Sequence, residues 1–148
     1  MTYNPYDRLE AVIRAVRYLM QGDMGRNLDS TQAIACEALV AVWTPGAYQI
    51  GDRRTYNGQV WRCCQQHDSA INPDVIPGQA PAHWVPDHAT DPRWAKPFVQ
   101  PTGAHDAYQT GECMVWTDGQ VYRSTMDGNA YSPGDYPQGW EEVPSDAA

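Results

Sequence analysis

The chain has 148 residues and a formal net charge of −8, and its aromatic residues are six Trp and nine Tyr against one Phe. This length fits one ordinary domain or a few very small modules, and it is too short for a large enzyme core. Because the chain is acidic and contains a single Lys, we expect neither nucleic acid nor a membrane surface among its partners.

The N-terminal segment, residues 1–42, predicts two helices. Asn4 supplies a cap, and Pro5 suits the first helical position. Apolar residues then recur at three- and four-residue spacing, as in an amphipathic helix: Leu9, Val12, Ile13, Val16, Leu19 and Met20. After a break, Asp29 and Gln32 resemble a capping box that begins a second, alanine-rich helix. The apolar positions of this helix are Ile34, Ala35, Ala38, Leu39 and Val42.

Two helices of this size bury little surface, so the segment at residues 1–42 needs something to pack against. It can fold as a helical hairpin against the rest of the chain, or it can associate with copies of itself around a symmetry axis, for example as a trimer. We expect residues 1–42 to anchor the chain to other proteins or to hold a homo-oligomer together.

Strand signals take over after the helical segment. Asn57 and Gly58 form the strongest short hairpin signature, because they separate two β-prone runs. Asp118 and Gly119 occupy the same place between two later runs. The sequence therefore predicts two β-hairpins, separated by a proline-rich region in which residues 87–93 form a linker.

The two hairpins belong to a longer internal repeat. The corresponding positions, with one inserted residue, are Tyr48 with Tyr108, Gly51 with Gly111, Asp52 with Glu112, Tyr56 with Trp116, Gly58 with Gly119, Trp61 with Tyr122, Pro73 with Pro133, and Trp84 with Trp140. Such a repeat implies two copies of one unit, each a three-stranded antiparallel sheet. The predicted fold class is therefore α+β, with a helical pair followed by tandem β modules at residues 43–86 and 94–143.

Modules this small bury little apolar surface, so a few aromatic rings must supply most of each core. The candidates in the first module are Trp43, Tyr56, Trp61 and Trp84. The candidates in the second module are Trp94, Trp116, Tyr122 and Trp140. Tyr and Trp also suit half-exposed positions, so the same rings are candidates for ligand contact.

The sequence offers no constellation typical of catalysis or metal binding. The cysteines have no paired metal-ligand spacing, and a zinc site would have to recruit His67 and His105 from distant loops. Asp52 lies in a Gly-Asp turn, where a carboxylate usually accepts backbone N–H bonds. We therefore expect no enzymatic activity, no catalytic residue, no metal and no cofactor.

The first copy has a distinctive spacing of rings and turn residues. These residues are Trp43, Tyr48, Gly51, Asp52, Tyr56, Asn57, Gly58, Trp61 and Trp84. The pattern resembles the family 5 and family 12 carbohydrate-binding modules, which are small chitin-binding β domains of glycan-active enzymes. The second copy matches more loosely, with Trp94 beginning it and Glu112 in place of the usual Asp. The resemblance implies a non-catalytic carbohydrate-binding protein.

Two phrases resemble a subset of these modules that occurs in tandem in bacteriophage tail-associated proteins. They are WRCCQQH at residues 61–67 and FVQPTGAHDAY at residues 98–108. This resemblance implies a virion protein of the tail tip or a fibre, assembled in the host cytoplasm. It agrees with the start of the chain, where residues 1–7 lack the basic and apolar stretches of a secretory signal. It also agrees with cysteines that stay reduced: Cys36, Cys63, Cys64 and Cys113.

The resemblance leads to two functional hypotheses. In the first, the modules bind host-surface glycan through Trp61, Gln66, Trp84 and Tyr131. In the second, the chain is a purely structural virion or decoration protein that contacts other proteins and binds no sugar. Chitin-binding modules carry adjacent exposed aromatics just after the second hairpin strand. This chain has Gln65-Gln66 at that place, and Met126-Asp127 in the second copy. The missing aromatic pair favours the second hypothesis.

Overall fold

The structure is a computed structural model that describes residues 3–145. Helices and a 3₁₀ turn occupy residues 6–39, and short strands follow between residues 47 and 143. The predicted α+β class is therefore confirmed. Among the described residues, no helix is both long enough and apolar enough to span a lipid bilayer.

The first helix, α1, spans Tyr6–Met20 and starts one residue after the predicted position, because Pro5 is the N-cap. The Asn4 side chain accepts a hydrogen bond from the backbone N–H of Tyr6 at 2.9 Å, which caps the first turn. Much of the apolar face of α1 is nevertheless uncovered. Three of its side chains are more than half exposed: Leu9, Val12 and Leu19. The rest of the described chain therefore leaves much of this apolar face exposed.

Two shorter helices follow: α2 at Asp23–Arg26 and α3 at Ser30–Ala35. The start of α3 is the predicted capping box. The Asp29 carboxylate accepts the Gln32 N–H at 2.8 Å, and the Gln32 side chain accepts the Asp29 N–H at 3.0 Å. This reciprocal pair satisfies two backbone donors that would otherwise lack partners at the helix start.

The second helical stretch is shorter than the sequence predicts. After α3 there is only a 3₁₀ turn at Glu37–Leu39, and Val42 lies beside a strand instead of in a helix. Thr55 donates its N–H to the Ala41 carbonyl at 2.9 Å and accepts the Trp43 N–H at 2.9 Å. The backbone beside Val42 therefore forms hydrogen bonds with the sheet, instead of the helical hydrogen bonds that the apolar spacing predicts.

The first module contains five strands. They are β1 (Ala47–Tyr48), β2 (Arg53–Tyr56), β3 (Gln59–Cys63), β4 (His67–Asp68) and β5 (Trp84–Pro86). Strands β2, β3 and β5 form an antiparallel three-stranded sheet, and β1 pairs with β4 separately. The β2–β3 hairpin turns at the predicted Asn57 and Gly58, whose φ angles of 49° and 74° are those of a two-residue type I′ turn.

The second module forms one four-stranded sheet. Its strands are β6 (Lys96–Pro97), β7 (Cys113–Val115), β8 (Val121–Ser124) and β9 (Trp140–Val143). Strands β7, β8 and β9 are antiparallel as predicted, and β6 adds a parallel edge strand that the sequence does not predict. The predicted β7–β8 hairpin has a longer turn in which Gly119 adopts a φ of 82°.

The two antiparallel sheets have the same register. The equivalent strand pairs are Cys63–Trp84 with Ser124–Trp140, Trp61–Pro86 with Tyr122–Glu142, and Arg53–Arg62 with Cys113–Arg123. The turn before the hairpin also repeats, because the Gly51 N–H donates to the Cys63 carbonyl and the Gly111 N–H donates to the Ser124 carbonyl. The correspondences in the sequence are therefore correspondences in backbone geometry.

Each module has a small core built around a Tyr and a Trp in edge-to-face contact. The ring centroids of Tyr48 and Trp84 lie 5.0 Å apart at 75°, and those of Tyr108 and Trp140 lie 5.1 Å apart at 71°. Such pairs are favourable beyond the apolar area they bury. The predicted dependence of the modules on a few rings is confirmed for Trp84 and Trp140, which are 1% and 7% exposed.

The prediction that Trp94 belongs to the core of the second module is wrong. Trp94 is 39% exposed, and its ring lies under the Arg93 guanidinium at 5.7 Å. The position equivalent to Trp43 is Phe98, whose N–H donates to Val115 as the Trp43 N–H donates to the equivalent Thr55. Phe98 also packs edge-to-face on Trp116 at 5.2 Å, so the only Phe of the chain closes this core.

The first part of the predicted linker, residues 87–89, is a buried junction. Asp87, His88 and Ala89 are at most 8% exposed. Asp87 accepts hydrogen bonds from Arg53 at 2.8 Å and from the Ser30 hydroxyl at 2.7 Å, which joins the first module to the helical segment. His88 stacks on Tyr108 of the second module, with 3.7 Å between ring centroids. The residues expected to separate the modules therefore connect them.

Candidate binding site

Two of the predicted carbohydrate contacts are core residues. Trp61 is 5% exposed, and its Nε1 donates to the Tyr56 carbonyl at 3.0 Å. Trp84 is 1% exposed and packs on Tyr48. Stacking against a sugar requires an open ring face, so neither indole can serve as a stacking platform in this structure. Burial overrides the assignment because a module of this size needs both rings inside.

The other two predicted contacts are exposed, but they lie in different modules. Gln66 is in the turn between β3 and β4, and Tyr131 is 52% exposed in the loop before β9. The Tyr131 ring lies 5.5 Å from the ring of Tyr136, which is 39% exposed. The four predicted residues therefore form no single site. Gln66 borders a sizeable cleft.

This cleft lies between the helical segment and the first module and has a volume of about 730 Å³. Clefts of this size accommodate small organic ligands. Its wall is rich in hydrogen-bonding side chains, which include Arg26, Gln49, Asp52, Arg54, Gln66 and Asp68. Amide, carboxylate and guanidinium groups together offer donors and acceptors for a hydroxylated ligand.

The carboxylates of the cleft already have partners. Asp52 accepts the Arg26 guanidinium at 2.7 Å and the Gln49 N–H at 2.8 Å. This confirms the predicted role of Asp52 in its turn. Asp68 accepts the Ala70 N–H at 2.9 Å. Arg26 bridges Asp23 and Asp52 at this end of the cleft. These two hydrogen bonds, the one to Asp23 more than the one to Asp52, raise the pKa of Arg26.

Arg54 lines the cleft, and the sequence analysis did not single it out. It is 9% exposed, and its guanidinium lies over the Tyr48 ring at 5.0 Å. Its Nη1 donates to the Arg53 carbonyl at 2.7 Å, whereas no carboxylate among residues 3–145 lies within 4.0 Å of it. The neighbouring Arg53, by contrast, is paired with Asp87.

A comparison of the two copies of the repeat marks Arg54 as an unusual residue. Because Arg53 is equivalent to Cys113 in register, Arg54 is equivalent to Met114. Met114 is fully buried and belongs to the core of the second module. A charged residue in one copy, at a position that is apolar in the other copy, indicates a local feature that the shared frame does not require.

His67 lines the cleft, and His83 and Cys63 lie next to it. The rings of His67 and His83 are 5.1 Å apart, and burial followed by the charge of His67 lowers the pKa of His83. Burial raises the pKa of Cys63 to about 11, so its thiol is protonated at neutral pH. Within residues 3–145, no three His, Cys, Asp or Glu side chains are grouped so that they could hold a metal ion.

The sequence matches no protein-family model, and no curated protein is significantly similar to it.

Proposed function

We propose that the chain is a non-enzymatic bacteriophage virion protein of the tail tip or a fibre, which binds host-surface carbohydrate through its two β modules. The virion location is supported by the sequence phrases at residues 61–67 and 98–108. The observation that carries the binding role is the polar cleft beside Gln66. Saccharides are recognised by hydrogen bonds to their hydroxyls, and this cleft offers amide and charged groups for such bonds.

The helical segment supplies the proposed attachment. The uncovered apolar residues of α1 follow a three- and four-residue spacing that suits helix–helix packing. We propose that this face packs on copies of the chain, for example as a trimer, or on other virion proteins. Several modules on one particle would then convert weak individual binding into useful avidity.

Analytical ultracentrifugation tests this attachment role. The purified chain should sediment as a species heavier than the 16.5 kDa monomer, because burying the α1 face favours association. The double variant Leu9→Asp, Val12→Asp should sediment as a monomer. Arg14→Glu, which changes an exposed polar position of the same helix, should keep the assembly of the unchanged chain. A monomer at high concentration for the unchanged chain would refute self-association.

A glycan array with the purified chain tests the binding role. The expected result is binding that is lost in Gln66→Ala and retained in Gln120→Ala, since Gln120 is an equally exposed amide in the turn of the second module. Tyr131→Ala tests the second module in the same assay. No binding to any glycan at high protein density would refute the carbohydrate-binding role.

The alternative is a purely structural virion or decoration protein. It is favoured by the burial of Trp61 and Trp84 and by the polar residues at the place of the exposed aromatic pair. Under this alternative the array is silent, and the exposed Tyr131 and Tyr136 contact neighbouring proteins. Limited proteolysis of intact particles would then find the loop at these two residues protected.

A further inference from the structure

Arg54 is a largely buried cation, and none of the described carboxylates is its ion-pair partner. Its side chain is surrounded by protein and stacks on Tyr48, and no described carboxylate lies within ion-pair distance. Burying an uncompensated charge is unfavourable, so such a residue is usually paired or faces a ligand. Arg54 lines the cleft that also contains Gln66.

The acids of the cleft are hydrogen-bonded to groups other than Arg54. Asp52 is engaged by Arg26 at 2.7 Å and by the Gln49 N–H. Asp68 accepts a backbone N–H of the following turn. Arg26 also binds Asp23 at 2.6 Å, so Asp23, Arg26 and Asp52 together carry one net negative charge. Neither of these two carboxylates lies within 4.0 Å of the Arg54 guanidinium, which has no ion-pair partner among the described residues.

The guanidinium is also held in place. The Tyr48 ring lies beneath it, and Nη1 is fixed by the Arg53 carbonyl at 2.7 Å. Among the described residues, Nε and Nη2 have no hydrogen-bond partner, and neither nitrogen is fully buried, so water or a ligand can reach both. A planar guanidinium with free N–H groups matches the two oxygens of a carboxylate, which it can bind through two parallel hydrogen bonds.

We infer that this cleft binds an acidic saccharide, with the sugar carboxylate paired to Arg54 and the sugar hydroxyls bonded to Gln66 and its neighbours. The inference rests on the proposed carbohydrate-binding function and narrows it to sugars such as uronic or sialic acids. The cleft volume of about 730 Å³ suits one or two sugar rings. The second module does not share this preference, because Met114 stands at the place of Arg54.

The test measures binding by titration calorimetry. The ligands are an oligosaccharide that contains uronic acid, the same oligosaccharide with its carboxyl groups reduced to alcohols, and a sulfated neutral counterpart. The unchanged chain should bind the acidic form about tenfold or more tightly than the reduced form, because a charge-assisted pair is lost. Equal binding of the sulfated form would refute the assignment to a carboxylate.

Variants locate the effect. Arg54→Met installs the residue of the second module, and it should lower affinity for the acidic form to that of the reduced form. Arg123→Met is the control, because Arg123 is a partly exposed strand arginine of the second module. Thermal unfolding establishes that each variant is folded, and the comparison of ligands on the unchanged chain remains decisive if Arg54→Met does not fold.

The outcomes separate the two hypotheses. Binding that is equal for acidic and reduced sugars and still depends on Gln66 would overturn the acidic preference and leave the carbohydrate-binding function standing. Acidic binding that survives Arg54→Met would overturn the role of Arg54. The absence of binding to every saccharide would overturn both proposals.

Discussion

The two modules have the same frame and different surfaces. Each has a Tyr and Trp pair at 5.0 to 5.1 Å, a Gly-acid turn before the hairpin, and the same strand register. One wall position, however, is the cationic Arg54 in the first copy and the buried Met114 in the second. The comparison shows that the rings fix the frame, whereas the residues beside them are free to acquire a local role.

The surroundings of the modules differ at the turn that borders this cleft. Arg26 of the helical segment closes one side of it through Asp52. The residue equivalent to Asp52 in the second module is Glu112, which accepts the Gln109 N–H at 2.6 Å and faces His88 at 3.3 Å. The same turn thus contacts a helix in one copy and the junction in the other.

The largest expected effect comes from removing a core ring. Trp84→Ala should lower the free energy of unfolding by about 3–5 kcal/mol, because a fully buried indole is replaced by a cavity. Trp140→Ala should cost a similar amount, since it occupies the equivalent place. Trp94→Ala is the control and should cost less than about 1 kcal/mol. Urea unfolding followed by circular dichroism measures all three, and equal losses for Trp94 and Trp84 would contradict the equivalence of Phe98 and Trp43.

The junction between the modules provides the next effect. Asp87→Asn leaves the buried Arg53 guanidinium without its anion, and the expected loss is about 3 kcal/mol. The matched control is Asp91→Asn, which removes a carboxylate from a more exposed pair with Arg93 and should change stability by less than about 1 kcal/mol. The same urea titration measures both. A loss no larger than that of the control would mean that the junction does not tie the first module to the helical segment.

Local signals predicted the parts of the fold that depend on neighbouring residues. Asn57 with Gly58 located one hairpin, and Asp29 with Gln32 located the start of α3. In both cases the determining contacts lie within a few residues, so the sequence alone carries the information. The prediction that the second helix reaches Val42 was wrong, because Val42 pairs with strand β2 and this strand is distant in the sequence.

Ring exposure could not be predicted, because it depends on what covers each strand face. Trp61 and Trp84 were candidates both for the core and for sugar contact, and burial decides for the core. Phe98 was missed because nine residues lie between it and Tyr108, whereas four lie between Trp43 and Tyr48. Arg54 was missed because strand alternation does not say which face the helical segment encloses.

The hairpin turns offer a smaller effect. Gly58 and Gly119 have φ angles of 74° and 82°, and a side chain is disfavoured in this left-handed region. Gly58→Ala and Gly119→Ala should each lower the free energy of unfolding by about 1–2 kcal/mol. Gly46→Ala is the control, because its Cβ would meet open space and its φ lies outside that region. Thermal unfolding measures the series, and a neutral Gly119→Ala would contradict the strained turn of the second hairpin.

The smallest expected effect distinguishes the two turns by pH. The Asp118 carboxylate accepts the Gln120 N–H at 2.9 Å and the Tyr122 hydroxyl at 2.7 Å, and these bonds lower the pKa of Asp118 below its ordinary value of 3.8. Because the folded pKa is the lower one, this contribution to stability is present above about pH 4 and is lost as the pH falls through the folded value. The first turn has Asn57 at its tip, which does not titrate.

The carboxyl carbon of Asp118, followed by nuclear magnetic resonance, should therefore titrate below pH 3.8. Asp118→Asn should reduce the loss of unfolding temperature between pH 6 and about pH 3, since it removes one of the carboxylates responsible for acid destabilisation. Asp135→Asn, at an exposed position outside the hairpin, is the matched control. A midpoint at or above the ordinary value would show that the second hairpin does not hold its turn through a carboxylate.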